Sequence, residues 1–204
     1  MPVKRILAVV AFIAILAVCL GACSSGSGDA RSTPVVEVAS PPPAVPASVL
    51  PRMVTSDADQ VDAETIATEV VHPDELRAVL DAAGFSSAVE RSFQGGTGPF
   101  SRVLARTLAF STQDGAAAFL DWFRANASEE IITAKPISSK GLPAGAAAFR
   151  HVPDGCCRRD FPVFLAAWPR GSSVVFLHVG GQRATTEAFV DLVATFEAEV
   201  GSAG

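Results

Sequence analysis

The stretch from Phe161 to Val179 restricts the fold more than any other part of the chain. A strand is predicted over 161–168, a turn at Pro169-Arg170-Gly171-Ser172, and a second strand over 173–179. Both faces of the first strand are apolar: one carries Val163, Leu165 and Ala167, and the other carries Phe164, Ala166 and Trp168. Such a hairpin belongs to a sheet that is covered on both sides, or to one with a face that lines a groove.

The other elements are predicted from hydrophobic period and capping residues. The predicted helices are 73–84, a helix that follows Thr112 and fades near Asn126, and 185–200. The further predicted strands are 88–93, 100–110, 131–136 and 146–151. This order predicts an α+β fold, a mainly antiparallel sheet of about five or six strands packed with three helices in a single domain.

The amino terminus carries an export signal. Lys4 and Arg5 precede fifteen consecutive apolar residues, Ile6 to Leu20. A transmembrane helix needs roughly 20 apolar residues, so this run is too short to span a bilayer. We therefore expect a signal peptide over residues 1–22.

The sequence Leu20-Gly21-Ala22-Cys23 resembles the lipobox of bacterial lipoproteins. The resemblance implies that Cys23 receives a diacylglyceryl group, that the leader is removed, and that the new amino terminus is acylated, for example with palmitate. Two or more acyl chains anchor a protein stably. The implied location is the cell membrane, lipid-anchored on its extracytoplasmic face, with a secreted protein or an uncleaved anchor as alternatives.

Composition limits what the exported part can bind. The chain has 16 basic and 21 acidic residues, and loss of Lys4 and Arg5 leaves 14 against 21, a net charge of about −7. This balance argues against nucleic acid as a partner and against electrostatic binding to anionic lipid. Six of the 14 prolines lie between Pro34 and Pro51. We therefore expect residues 23–61 to form a lipidated, disordered tether and residues 62–204 to form the globular domain.

No catalytic residue or cofactor is predicted. Ser86 lies in Gly84-Phe85-Ser86-Ser87-Ala88, which resembles the nucleophile elbow of hydrolases, but a helix precedes it and a strand follows, the reverse of the required order. The histidines His72, His151 and His178 lack the spacing of a zinc site. There is also no phosphate-binding glycine loop before a helix.

Three arginines form a candidate anion-binding cluster. Arg102 and Arg106 share one side of a predicted strand, and Arg91 could lie beside them on its hairpin partner. Leu104 and Leu108 fall on the same side, so the arginines would have to extend past apolar neighbours. The alternative is a solvated, ion-paired sheet edge.

Cys156 and Cys157 are predicted to form a disulfide between adjacent residues. Export places them where disulfides persist, and each has the other as its intramolecular partner once Cys23 is lipidated and Cys19 has left with the leader. Two free thiols, an intermolecular bond or a soft-metal site with His151 remain as alternatives. Neighbouring Cα atoms are only about 3.8 Å apart, so the bond would be strained and easily reduced.

The hairpins, the helix that begins near Ser111 and the C-terminal amphipathic helix resemble small actinobacterial envelope lipoproteins with PsbP-like or sensor-type domains. The resemblance covers Cys23 and residues 64–200 and carries over no functional residues. It implies a non-enzymatic binding or sensing domain whose partner is an envelope protein or a small molecule. A carrier of a hydrophobic envelope molecule is the first alternative. A hydrolase using Ser86, or a thiol-redox enzyme using Cys156 and Cys157, is the second.

Overall fold

The hairpin predicted from the alternating sequence lies at the centre of the fold, in strands β7 (Val163–Arg170) and β8 (Ser173–Gly180). The structure is a computed structural model that describes residues 41–131, 134–138, 140–151 and 161–202. Gly171 has φ 59° at the turn, a left-handed conformation that glycine adopts without steric cost. The five side chains from Phe164 to Trp168 are buried, so both faces of β7 are covered, as predicted.

The described residues form one antiparallel sheet around this hairpin. Its order is β1-β3-β4-β8-β7-β6-β5, and β2 pairs with β3 beside β1. The other strands are β1 (Val54–Thr55), β2 (Asp59–Val61), β3 (Phe85–Gln94), β4 (Arg102–Phe110), β5 (Lys135–Pro136) and β6 (Ala147–His151). The pairing of β4 with β8 joins two sequence-local hairpins, β3–β4 and β7–β8, into one surface.

Four α-helices lie in the described residues: α1 (Ala63–Ala67), α2 (Pro73–Ala82), α3 (Gln113–Glu130) and α4 (Thr186–Ser202). Asp62 caps α1 by accepting the backbone N–H of Thr65 at 2.8 Å, and the hydroxyl of Thr112 caps α3 by accepting the N–H of Gly115 at 3.0 Å. Pro73 starts α2, and Gly84 follows its end with φ 69°.

Each face of the sheet has its own core. On one face, Phe164, Trp168, Val175 and Leu177 pack with residues of α4. On the other face, Leu108, Leu165 and Phe176 pack with residues of α2 and α3. The described residues therefore form one compact α+β unit, and the predicted fold class is confirmed. The structure adds short strands and one short helix to the expected five or six strands and three helices.

The packed region begins before residue 62, where the sequence placed its boundary. Val45 and Val49 are buried in the core that includes Phe93, and β1 and β2 pair with the edge of β3. The prediction of a disordered tether is therefore wrong for residues 45–61. These residues show no period because they form a single 3-10 turn at Ala47–Val49 and two short strands along a sheet edge, where few side chains reach the core. The tether prediction for residues 23–40 lies outside the described residues.

Two other boundaries also differ from the sequence prediction. Helix α3 continues to Glu130, past Asn126, because Ala127 is still fully buried against the sheet. The strand predicted over 131–136 is reduced to Lys135–Pro136 among the residues described there. The small polar residues Asn126 and Ser128 had obscured the helical period.

Candidate functional site

A cavity of about 350 Å³ lies between the sheet and helices α1, α2 and α3. This volume is within the range of about 300–1,000 Å³ found for small-molecule sites. Most of the lining side chains are apolar, and three, Glu69, Arg106 and His178, are titratable. The lining residues are Ile66, Glu69, Val70, Leu76, Leu104, Arg106, Leu108, Phe119, Trp122, Phe123, Ile131, Phe176 and His178.

Strands β4 and β8 supply the floor of the cavity through alternate residues. Leu104 pairs with His178, and Arg106 pairs with Phe176, so these four side chains lie on the same face of the sheet. Helix α3 supplies the opposite wall through its aromatic stripe, in which the rings of Phe119 and Trp122 have centroids 6.1 Å apart. At β4 and β8 this face of the sheet therefore lines a groove, which is the second of the two arrangements that the sequence analysis allowed for the hairpin.

Arg106 is the centre of an ion-pair network at the cavity. Its side chain is only 3% exposed, because β4 lies between β3 and β8 in the interior of the sheet. It donates from Nη1 to Glu69 Oε2 at 3.0 Å, from Nη2 to Glu69 Oε1 at 2.7 Å, and from Nε to Glu90 Oε2 at 2.9 Å. A further contact joins Nη2 to Glu90 Oε2. The guanidinium therefore holds one carboxylate in bidentate geometry and a second one beside it.

The network keeps Arg106 charged in spite of its burial. Burial alone would lower the pKa of Arg106, but the hydrogen bonds and charges of Glu69 and Glu90 outweigh it, and the pKa lies above its ordinary value. Removing a partner from a buried ion pair leaves a poorly solvated charge, which is strongly destabilising. Arg106 is therefore charged and ion-paired with both carboxylates in the fold.

His178 is a half-buried titratable group on the cavity floor. Burial lowers its pKa, and the charges of Arg102 and Arg106 lower it further, while Glu69 acts in the opposite direction. Its imidazole is consequently neutral at pH 7. It offers the cavity a neutral polar edge and no positive charge.

Trp122 combines an aromatic wall with a buried polar atom. Its indole Nε1 is buried, and no described residue accepts a hydrogen bond from it. A buried donor without an acceptor costs about 1–3 kcal/mol. Trp122 is also a spectroscopic reporter, because the other tryptophan, Trp168, lies fully buried in the core on the opposite face of the sheet.

The structure separates the three arginines of the predicted anion cluster. Arg91 pairs with Ala105, so it lies on the opposite face of the sheet from Arg106 and donates to Ser56 O at 3.4 Å. Arg102 shares the face of Arg106 but is exposed, and it pairs with Gly180 at the end of the strand. Arg106 is ion-paired, as the alternative interpretation expected, but it is neither solvated nor at a sheet edge. Anion binding by these residues stays a prediction.

The other residues considered for chemistry do not come together. Ser86 lies on β3, and its hydroxyl donates to Ala109 O at 3.1 Å. A shallow depression of about 300 Å³ beside it contains no histidine among its described lining residues. In the part of the chain that is described, no group of three or more His, Cys, Asp or Glu could hold a metal ion. The predicted lipidation site Cys23 and the predicted disulfide of Cys156 and Cys157 lie outside the described residues.

Sequence reasoning missed three residues of the site: Glu69, Glu90 and Trp122. Glu90 could have been found only from the hairpin register, which pairs it with Arg106. Glu69 comes from the segment between α1 and α2, 37 residues before Arg106, and no local pattern marks it. Trp122 lies next to the predicted apolar stripe of α3, so its position on a cavity wall had no sequence signal.

Comparisons with known proteins bear on the fold alone. No protein family and no curated protein matches the chain by sequence. Within the described residues, no helix has the length and apolar character needed to cross a membrane. The structure is similar to that of the extracellular domain of PknH from Mycobacterium tuberculosis, with a TM-score of 0.50 and 15% sequence identity, over 76% of this chain and 89% of that chain. The chain therefore has the fold of a domain that in PknH is extracellular.

Proposed function

We propose that this protein is a non-enzymatic binding or sensing domain of the cell envelope, and that the cavity between the sheet and α3 is its ligand site. A lipid on Cys23 would hold it at the extracytoplasmic face of the membrane. The fold shared with an extracellular domain and the export signal predicted at residues 1–22 support this location. The lipid anchor is inferred from the sequence around Cys23.

The cavity itself is the observation that carries the proposal. Its volume of about 350 Å³ is lined mostly by apolar side chains, with Glu69, Arg106 and His178 as the titratable groups. Large apolar pockets with a few convergent polar groups are typical ligand sites. The absence of a nucleophile paired with a base among the described cavity residues favours binding over catalysis.

A carrier of a hydrophobic envelope molecule would use the same cavity. A carrier must release its ligand to a membrane or partner, whereas a sensing domain needs only to bind it. Transfer of the bound molecule to acceptor vesicles, followed by mass spectrometry of protein and vesicles, separates the two uses. Spontaneous transfer within minutes would favour the carrier.

The proposal is tested by binding of Nile red, an uncharged apolar dye, to the chain of residues 24–204. This chain contains all the residues of both cores, so its folding does not depend on the lipid. We expect saturable dye fluorescence in the wild-type protein. Val70→Phe, which places a larger side chain in the cavity, should weaken dye binding by about tenfold.

Val54→Phe is the matched control, because Val54 is 78% exposed on β1 and does not line the cavity. It should bind the dye as the wild type does. Absence of saturable binding in the wild type, or equal binding by Val70→Phe and the wild type in a folded protein, would rule the cavity out as the ligand site.

A further inference from the structure

The charged groups Arg106, Glu69 and Glu90 at the cavity are hydrogen-bonded to one another. Arg106 makes four hydrogen bonds to Glu69 and Glu90, and a guanidinium has five N–H donors in total. Glu69 uses both of its oxygens on Arg106, and Glu90 uses Oε2. One N–H of Arg106 is therefore the only donor of this guanidinium that Glu69 and Glu90 leave unused.

An anionic head group is disfavoured by both geometry and charge. A carboxylate ligand binds arginine best through two parallel N–H groups, and at most one N–H of Arg106 remains unused. The network of one guanidinium and two carboxylates also has a net charge of −1, which would repel an anion. His178 adds no positive charge at pH 7, because burial lowers its pKa.

Arg102 does not change this balance within the cavity. It is a further cation on the same face of the sheet, but it is exposed, lies opposite Gly180 and is absent from the lining. An ammonium ligand is also poorly served, because Glu69, the one carboxylate among the described lining residues, is held in bidentate geometry by Arg106, and Glu90 does not line the cavity. Taking a charge out of water without a dedicated partner is costly.

We propose that the cavity selects an uncharged amphiphile, an alkyl or other apolar body with a neutral polar head such as a hydroxyl or ester, and discriminates against the corresponding carboxylate. This inference rests on the proposed function of the cavity. The apolar body would lie against Leu104, Phe119 and Phe176, and the neutral head would meet the polar edge formed by His178 and the ion-pair network.

The test compares three ligands that share one alkyl chain: decan-1-ol, decanoate and decylammonium, each below its aggregation limit at pH 8. Binding to the chain of residues 24–204 is followed by the emission of Trp122. Trp168 supplies a constant background from the other core, and Trp122→Phe should lose the signal change. We expect decan-1-ol to bind at least about tenfold more tightly than either charged ligand.

Glu69→Gln tests the electrostatic cause. The variant keeps the ion pair of Arg106 with Glu90 and an amide oxygen toward Arg106, but it removes one negative charge. Decanoate affinity should rise by about tenfold, with decan-1-ol affinity little changed. Glu64→Gln is the matched control, because Glu64 pairs with Arg77 at the surface and does not line the cavity. It should leave all three affinities as in the wild type.

The outcomes separate this inference from the proposed function. Equal or tighter binding of decanoate or decylammonium by the wild type would overturn the selection for uncharged ligands while the cavity remained a ligand site. Nile red binding without binding of any decyl compound would overturn the amphiphile class alone. Failure of all four molecules to bind would overturn both. If Glu69→Gln does not fold, the comparison of the three ligands on the wild type still tests the selection for uncharged ligands.

Discussion

Arg106 holds both carboxylate oxygens of Glu69, with Nη1–Oε2 and Nη2–Oε1 distances of 3.0 and 2.7 Å, across 37 residues of sequence. This contact fastens the segment between α1 and α2 to the interior of the sheet, over the cavity. Because Glu90 lies on the neighbouring strand, the same guanidinium also joins β3 to β4. One side chain therefore links the wall of the cavity to its floor.

The first prediction concerns the stability that this network provides. Arg106→Met should destabilise the fold by about 1–3 kcal/mol, less than the loss of a fully buried ion pair, because water can solvate the remaining carboxylates. The side chains of Glu69 and Glu90 are 45% and 25% exposed. Urea unfolding measures the change. Arg77→Met, which removes an ion pair at the surface, should have little effect, and equal losses in both variants would contradict the prediction.

The second prediction concerns pH. The pKa of His178 is lowered in the folded protein, chiefly by burial, and returns to about 6.5 in the unfolded chain. Below about pH 6.5 the unfolded state therefore binds more protons, and the free energy of unfolding should fall as the pH falls toward the folded pKa. This loss is absent above about pH 7.

His178→Gln should reduce the loss of stability between about pH 7 and about pH 5, as measured by urea unfolding at each pH. The charged groups that act on His178 in the fold are Glu69, Arg102 and Arg106. His72→Gln is the control, since His72 is exposed at the start of α2. If His178→Gln and the wild type lose stability equally between these pH values, His178 is not the group responsible.

The third prediction concerns the contact between α2 and α3. Gly115 lies in the first turn of α3, and a Cβ atom there would collide with the backbone carbonyl of Ala83. Gly115→Ala should therefore destabilise the fold by about 1–3 kcal/mol, because neither backbone can move freely. Gly98→Ala, in open space on the β3–β4 loop, should change stability by less than about 0.5 kcal/mol. Thermal unfolding of the two variants decides, and similar melting temperatures would count against the predicted collision.

The fourth prediction concerns the anchor. If Cys23 carries the lipid, Cys23→Ala should abolish acylation and block normal maturation, because the modified sulfur is lost. Mass spectrometry of membrane-derived protein and metabolic labelling with a palmitate analogue measure this. Cys19→Ala is the control and should leave acylation intact. Unmodified Cys23 at the amino terminus of the wild-type membrane protein would show that the lipobox prediction is wrong.

The fifth prediction concerns Cys156 and Cys157. The two thiols should be joined in protein taken directly from the envelope, and the strained bond should open under mild reductant. Alkylation before and after reduction, followed by mass spectrometry, gives the thiol count. Alkylation of both cysteines without reductant would exclude the disulfide, and a mixed population joined between molecules would support the intermolecular alternative.

Local pattern alone determined most of the secondary structure. Pro73, Gly84 and Thr112 set the ends of helices α2 and α3, because capping and glycine conformation depend on neighbouring residues. The apolar alternation of Val163–Arg170 determined that both faces of the sheet would be covered or would line a groove, because strand side chains alternate with period two.

Tertiary structure decided the rest, since local period carries no information about which segments meet. The pairing of β4 with β8 placed Arg106 in the interior of the sheet, whereas the sequence had allowed an edge. The strand register brought Glu90 to Arg106 and turned Arg91 to the other face, and the fold brought in Glu69 and the wall of α3. The cavity and the ion-pair network of Arg106 therefore exist only in the folded chain, because they depend on contacts between residues far apart in sequence.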